Sequence, residues 1–204
     1  MLELFAVLLS ALALLLSGIA LYVVNFWKGK IRCSKPKQFF FGYANEDKTT
    51  ANVSVQCFMH STGIVGQVID HMFLEVEQGE TKQAFTSWSA GTNPNNRARL
   101  AGFKVPRDGH SIDFIFFTPP QSKNFRFSKG NLTARLKVRL SGSKKYETLF
   151  EEKFKLEENL YTAIDTLNLA VFELGSTGES YHSYADTYKT SLPNNKEIEI
   201  KNKK

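Results

Sequence analysis

Apolar positions run without a charged side chain from Leu4 to Trp27. At 1.5 Å per helical residue this run reaches about 36 Å, more than the hydrocarbon core of a bilayer at about 30 Å. It predicts a transmembrane helix over 4–27 behind a short tail, 1–3. A cleaved signal peptide needs a basic start, an apolar stretch of about 7–15 residues and a small-residue cleavage site. Here only Met1, Leu2 and Glu3 precede the run, and Cys33 follows Lys30, Ile31 and Arg32 rather than small apolar residues. The segment therefore reads as an uncleaved signal anchor. Tyr22 and Trp27 fall where an interfacial aromatic belt holds a helix end, with Lys28, Lys30 and Arg32 beyond them in the headgroups. Residues 28–37 read as a basic juxtamembrane linker.

Within the apolar run, Ala6, Ser10, Ala13, Ser17 and Ala20 recur at spacings of four, three, four and three, and so share one helical face. Small side chains let helix backbones approach closely in lipid, which makes the stripe a candidate face for homo-oligomerisation through the helix. A Leu-rich span filled out with Ala and Ser gives the same pattern.

After Pro36 the period changes to two. Runs at 38–43, 52–60, 68–77, 83–88, 100–105, 111–118, 125–127, 131–140 and 146–156 alternate or cluster apolar residues between Gly, Pro, Asn and Asp, the pattern of half-buried strands. In the run at 68–77, either Val68 or Ile69 leads the inward face ahead of Met72, Leu74 and Val76. The clearest hairpin sets Leu132, Ala134, Leu136, Val138 and Leu140 inward on one strand. After the Ser141-Gly142-Ser143 turn, Tyr146, Thr148, Phe150, Phe154 and Leu156 face inward on the other. Its outward Arg135, Lys137 and Arg139 are expected to be neutralised by Glu147 and Glu151 across the strands. Next, Leu160, Ile164 and Leu167 fall at helical spacing, predicting a short helix over 157–167 and then a strand over 169–174. Residues 175–190 read as a loop lying on the domain, and 191–204 as a disordered basic tail. The predicted fold is mainly β: an antiparallel β-sandwich of immunoglobulin-like layout over 38–190, with an N-terminal transmembrane helix and a short C-terminal helix. The Cys, Trp, Cys spacing of antibody domains is absent.

Composition changes this picture little. With 42% hydrophobic, 23% charged and 13% aromatic residues, the 204-residue chain supplies one core of ordinary size. The net charge of +6 suggests nucleic acid until its location is traced. Lys28, Lys30, Arg32, Lys35 and Lys37 at one end, and Lys196, Lys201, Lys203 and Lys204 at the other, hold the excess, while acidic and basic residues balance over 38–195. A nucleic-acid partner is not expected. Basic residues flank only the C-terminal side of the helix, which predicts a cytoplasmic domain. Cys33 and Cys57 fit that compartment as free thiols. The acceptor triplets at Asn52 and Asn131 would matter only where chains are glycosylated.

Candidate chemistry is sparse. Phosphate-binding glycine loops, a nucleophile elbow, His-Glu-x-x-His and Cys-x-x-Cys are all missing, and His60, His71, His110 and His182 stand singly. Glu75 and Glu77 share a strand face, whereas Glu151 and Glu152 point to opposite ones. No catalytic residue, cofactor or metal is expected. The sequence points to a single-pass, membrane-anchored interaction or structural module whose partners are the lipid bilayer and a protein. The alternative is a membrane-bound enzyme or small-ligand-binding domain with a pocket between the sheets, for which Trp88, Tyr181, His182 and Tyr184 are the first residues to examine.

Overall fold

The computed structural model describes residues 2–26, 29–91, 102–119 and 125–187. Helix α1, Leu2–Phe26, is followed by β1 (Ile31–Cys33), β2 (Gln38–Tyr43), β3 (Ala51–Ser61), β4 (Gln67–Gln78), β5 (Thr81–Gly91), β6 (Phe103–Val105), β7 (His110–Phe117), β8 (Gly130–Leu140) and β9 (Tyr146–Leu156). Helix α2 (Glu158–Asp165), β10 (Leu169–Leu174) and β11 (Tyr181–Asp186) complete the described chain.

Mainly antiparallel β structure, an N-terminal apolar helix and a short second helix are found as expected. The division into two immunoglobulin-like sheets is not. Ladders join the strands into one sheet in the order β11-β10-β2-β3-β7-β5-β4-β8-β9, with β1 beside the far part of β3 and β6 beside the start of β4. This sheet rolls into a half-barrel. Its inner face is packed: Phe39, Phe41, Phe85, Phe114, Phe116, Leu74 and Leu136 are fully buried. Phe39 reaches across the roll to Phe154, with ring centroids 4.6 Å apart. Helix α2 buries Leu160, Ala163 and Ile164 and packs on β10, β11 and β2, covering one end of the roll.

Register shifts interrupt the β4–β8, β5–β7 and β8–β9 ladders, and the first and last of them set which of the predicted positions face inward. Between Ile69 and His71 the β4–β8 register shifts by one residue, so Ile69, 2% exposed, joins Met72, Leu74 and Val76, while Val68 turns out to solvent. A second shift opposite Leu136/Lys137 corrects the predicted hairpin face. It places Thr148 against outward Lys137 and leaves Tyr146 and Thr148 exposed rather than buried. Glu147 then lies opposite Val138 and does not neutralise the cationic stripe. Arg135 does bond Glu151, at 2.8 Å, as expected, and also reaches Glu77 on β4.

The stretch read as a linker is largely woven into the sheet. β1 pairs with β3 as Ile31↔Ser61, Arg32↔His60 and Cys33↔Met59. Ser34 and Lys37 then donate backbone N–H groups to Phe58 and Gln56, carrying the chain directly into β2. At the other terminus, residues read as loop form β11, paired to β10 from Leu169↔Asp186 to Leu174↔Tyr181. The predicted tail, 191–204, lies outside the described residues.

Candidate functional site

Helix α1 has 25 residues and presents its side chains to the surroundings; its apolar span Glu3–Asn25, of mean hydropathy 2.6, is 0% buried. Three of its polar side chains are satisfied within the helix. Ser10 and Ser17 donate their hydroxyls to the carbonyls of Ala6 and Ala13 at 2.9 and 2.8 Å, and Asn25 donates its amide to Leu21 at 2.9 Å. That matters because a backbone or side-chain polar group has no water to turn to in hydrocarbon. Ala6, Ser10, Ala13, Ser17 and Ala20 are all exposed, as is Tyr22. Trp27 and Lys28 lie outside the described residues.

Immediately beyond the helix the chain is clamped. Gly29 (φ +66°) lies against the β3–β4 turn so closely that a Cβ there would stand 2.1 Å from the Gly63 nitrogen. Its carbonyl accepts the Gln67 side-chain amide at 2.6 Å. The backbone N–H of Lys30 donates to the Thr62 hydroxyl at 2.8 Å, and Thr62 returns its own N–H to the Lys30 carbonyl at 2.9 Å. Lys30 and Arg32 themselves are exposed. Beside the clamp, the end of the sheet nearest α1 carries the turns Thr62–Gly66, Pro106–Gly109 and Ser141–Lys145. Hydrogen bonds from Ser61 N–H to Pro106 and from Ser141 N–H to Val68 hold them level.

Charge is sorted between the two ends of the roll. Among the described residues, the junction and these turns carry Lys30, Arg107, Lys144 and Lys145 against Asp108, and the β10–β11 turn at the same end adds Glu179. Connections at the opposite end carry Glu46, Asp47, Glu80, Glu157, Glu158 and Asp165 against Lys48, Arg126 and Lys129. The balance read over 38–195 hides this polarity.

The roll does not close by backbone ladders, because β9 and β11 end the sheet on either side of a seam. Side chains bridge it: Phe154 meets Tyr181 at 5.3 Å between centroids, and the Tyr181 hydroxyl donates to the Pro36 carbonyl at 2.8 Å. The Lys35 ammonium donates to the Glu179 carbonyl at 2.7 Å and sits 5.2 Å over the Tyr181 ring. Over the seam lies an open groove of about 710 Å³ whose lining includes Lys35, Glu152, Phe154, Phe172 and Tyr181. Burial raises the Glu152 carboxyl above its ordinary range, and Lys35 offsets part of that rise. Burial likewise pushes the Tyr181 phenol up, helped by Glu152 and the two cysteines. Cys33 and Cys57 are both free and share this region; the Cys57 thiol is raised by its hydrogen bond with Cys33 and by burial.

The other candidates stay apart. Tyr181 lines the groove, whereas His182 and Tyr184 are exposed on β11, and the Trp88 side chain lies outside the described residues. His71 pairs with the Tyr146 hydroxyl at 3.1 Å, and His60 sits on β3 opposite Arg32. Among the described residues no three His, Cys, Asp or Glu side chains gather as a metal-binding group. Glu75 and Glu77 serve an ion-pair network rather than forming an isolated carboxylate pair: Arg135 contacts both, and Lys82 and Lys137 reach Glu75 at 3.1 and 3.4 Å. Burial alone would raise Glu75, but these lysines hold its carboxyl below the usual range. Of the two glycosylation triplets, Asn52 is 3% exposed and inaccessible, while Asn131 is exposed. The clamp between α1 and the β3–β4 turn has no signature in the sequence beyond Gly29 and Gly63. Comparison with protein-family models, curated proteins and solved structures finds no match to this chain.

Proposed function

We propose that the chain is a single-pass membrane protein whose half-barrel is a non-catalytic interaction or structural module held at the bilayer surface. The observation that carries this reading is the junction. An apolar helix with no protein covering it runs into a strand of the sheet, and from Gly29 onward the connection is hydrogen-bonded to the domain. Anchoring of this kind raises the effective concentration of a domain toward membrane partners, so a weak protein interface suffices. Basic residues on the C-terminal flank favour the cytoplasmic side. The small-residue stripe of α1, exposed along its length, supports helix-mediated self-association.

A ligand or catalytic site finds less support. The space inside the roll is filled by phenylalanines, and in the seam groove the Lys35 ammonium and the Tyr181 hydroxyl are already bonded to the Glu179 and Pro36 carbonyls. The test is extraction and protease protection of the full chain carrying a C-terminal tag. We expect it to stay with the membrane in alkaline carbonate and to lose its tag to protease only after the membrane is opened. Release by carbonate would overturn the anchor, and digestion from outside intact cells would overturn the cytoplasmic placement.

A further inference from the structure

We infer that the end of the half-barrel next to α1 is itself a lipid-binding surface, with Ile64 and Val65 of the β3–β4 turn entering the interface of the bilayer that α1 crosses. This rests on the membrane reading proposed above and deepens it.

The first ground is position. Helix α1 ends at Phe26, and Gly29 is already bonded to the turn, so at most about 11 Å of extended chain separates the helix end from the clamp. The domain cannot drift from the headgroups by more than that reach, and the turn is the part of the sheet bonded to the exit point. The second ground is composition. Among the described residues outside α1, the exposed large hydrophobic side chains are Phe58, Ile64, Val65, Val68, Tyr146 and Tyr184. All but Tyr184 lie in the part of the sheet nearest α1, and Ile64 and Val65, 39% and 44% exposed, form its tip.

The third ground is charge. Lys30, Arg107, Lys144 and Lys145 lie in the junction and in the turns bonded beside that apolar tip, outnumbering Asp108 and Glu179 at this end, while the connections at the opposite end are acidic on balance. Apolar residues ringed by Lys and Arg are the pattern of segments that bury their apolar face about 5–10 Å into the headgroup–acyl boundary. The cytoplasmic leaflet supplies the matching anionic lipids. A protein partner would have to displace this surface from a bilayer only a few residues away along the chain.

The test uses the full chain in vesicles of phosphatidylcholine and phosphatidylserine, with and without brominated acyl chains. Trp88→Phe leaves Trp27 to report on the helix end. Trp27→Phe and Trp88→Phe together with Ile64→Trp leave a reporter at the turn. We expect both to be quenched by brominated lipid, and the turn reporter to lose more of its emission as phosphatidylserine increases and less at high salt. Quenching at Trp27 without quenching at the turn would overturn the inference and leave the membrane reading standing. A turn reporter that is blue-shifted yet unquenched would mean burial against protein, a second copy included, and would also overturn it. Loss of quenching at both positions would remove the membrane reading and the inference together. Should Trp88→Phe unfold the sheet, amide exchange in the native chain gives a second measurement. Slower exchange at 62–66 in anionic than in zwitterionic vesicles, with 44–50 unchanged, supports insertion; equal exchange overturns it.

Discussion

At the scale of single residues, Glu152 is the clearest departure from a simple inside–outside rule. Alternation along β9 puts it on the inner face with Phe150 and Phe154, opposite Ala134, and burial raises its carboxyl despite Lys35. A carboxyl whose folded-state pKa exceeds its unfolded one binds its proton more tightly in the native state. Its contribution to stability is therefore greatest in acid, where both states are protonated, and declines as pH rises through the unfolded and then the folded value. Glu152→Gln should accordingly raise the denaturation midpoint at neutral pH and leave it nearly unchanged near pH 4. Paired denaturation curves at the two pH values check this. A midpoint lowered by Glu152→Gln at neutral pH would mean that the Lys35 attraction outweighs desolvation. Cost at this one position is consistent with the seam being bridged by side chains: the Glu152 carboxylate adds charge attraction to Lys35, which is held by the Glu179 carbonyl and lies over Tyr181.

Among the elements, β1 has the greatest consequence for its length. Three residues join the apolar helix α1 to the sheet, and the close approach of Gly29 to Gly63 makes the join possible. A side chain at 29 meets backbone rather than a movable side chain, and the positive φ adds strain for any other residue. Gly29→Ala should free the junction while sparing the rest of the roll. Amide exchange would speed at Arg32 and Thr62, with β8 still protected; unchanged exchange at both would show that the clamp tolerates a Cβ. This element is also where sequence reading reached its limit. Long apolar and alternating segments were legible: α1, β3, β8, the helix near 160 and the strand at 169–174 stand where periodicity placed them. A three-residue strand has no period to read, so β1 passed for linker, and the tyrosines of β11 passed for loop. Bulges defeated alternation for a different reason. One extra residue reverses the alternation between the two sides of it, and nothing in Tyr146-Glu147-Thr148-Leu149-Phe150 marks Leu149 as that residue.

For the whole molecule, the difference between two packed sheets and one rolled sheet has a thermodynamic consequence. A continuous set of ladders from β11 to β9 shares one core, in which β2 touches β9 through Phe39 and Phe154 although they lie far apart in strand order. No boundary exists along which half of the sheet can melt while its partner keeps a filled inner face. Charge shows the same dependence on the complete fold. The balance over 38–195 is a property of the list of residues, whereas the basic and acidic ends appear only once the ladders fix which turns lie together. Unfolding of the half-barrel should therefore be all-or-none. Phe39→Ala on β2 and Leu136→Ala on β8 remove fully buried side chains from distant parts of the sheet, at costs of about 3–5 and about 2–5 kcal/mol. Each should move one common transition to lower denaturant, with near- and far-ultraviolet circular dichroism coincident before and after substitution. Two transitions, one responding to Phe39→Ala and the other to Leu136→Ala, would instead mean that the strands fold as two separable layers. The shared core contacts across the roll would then contribute little to holding it together.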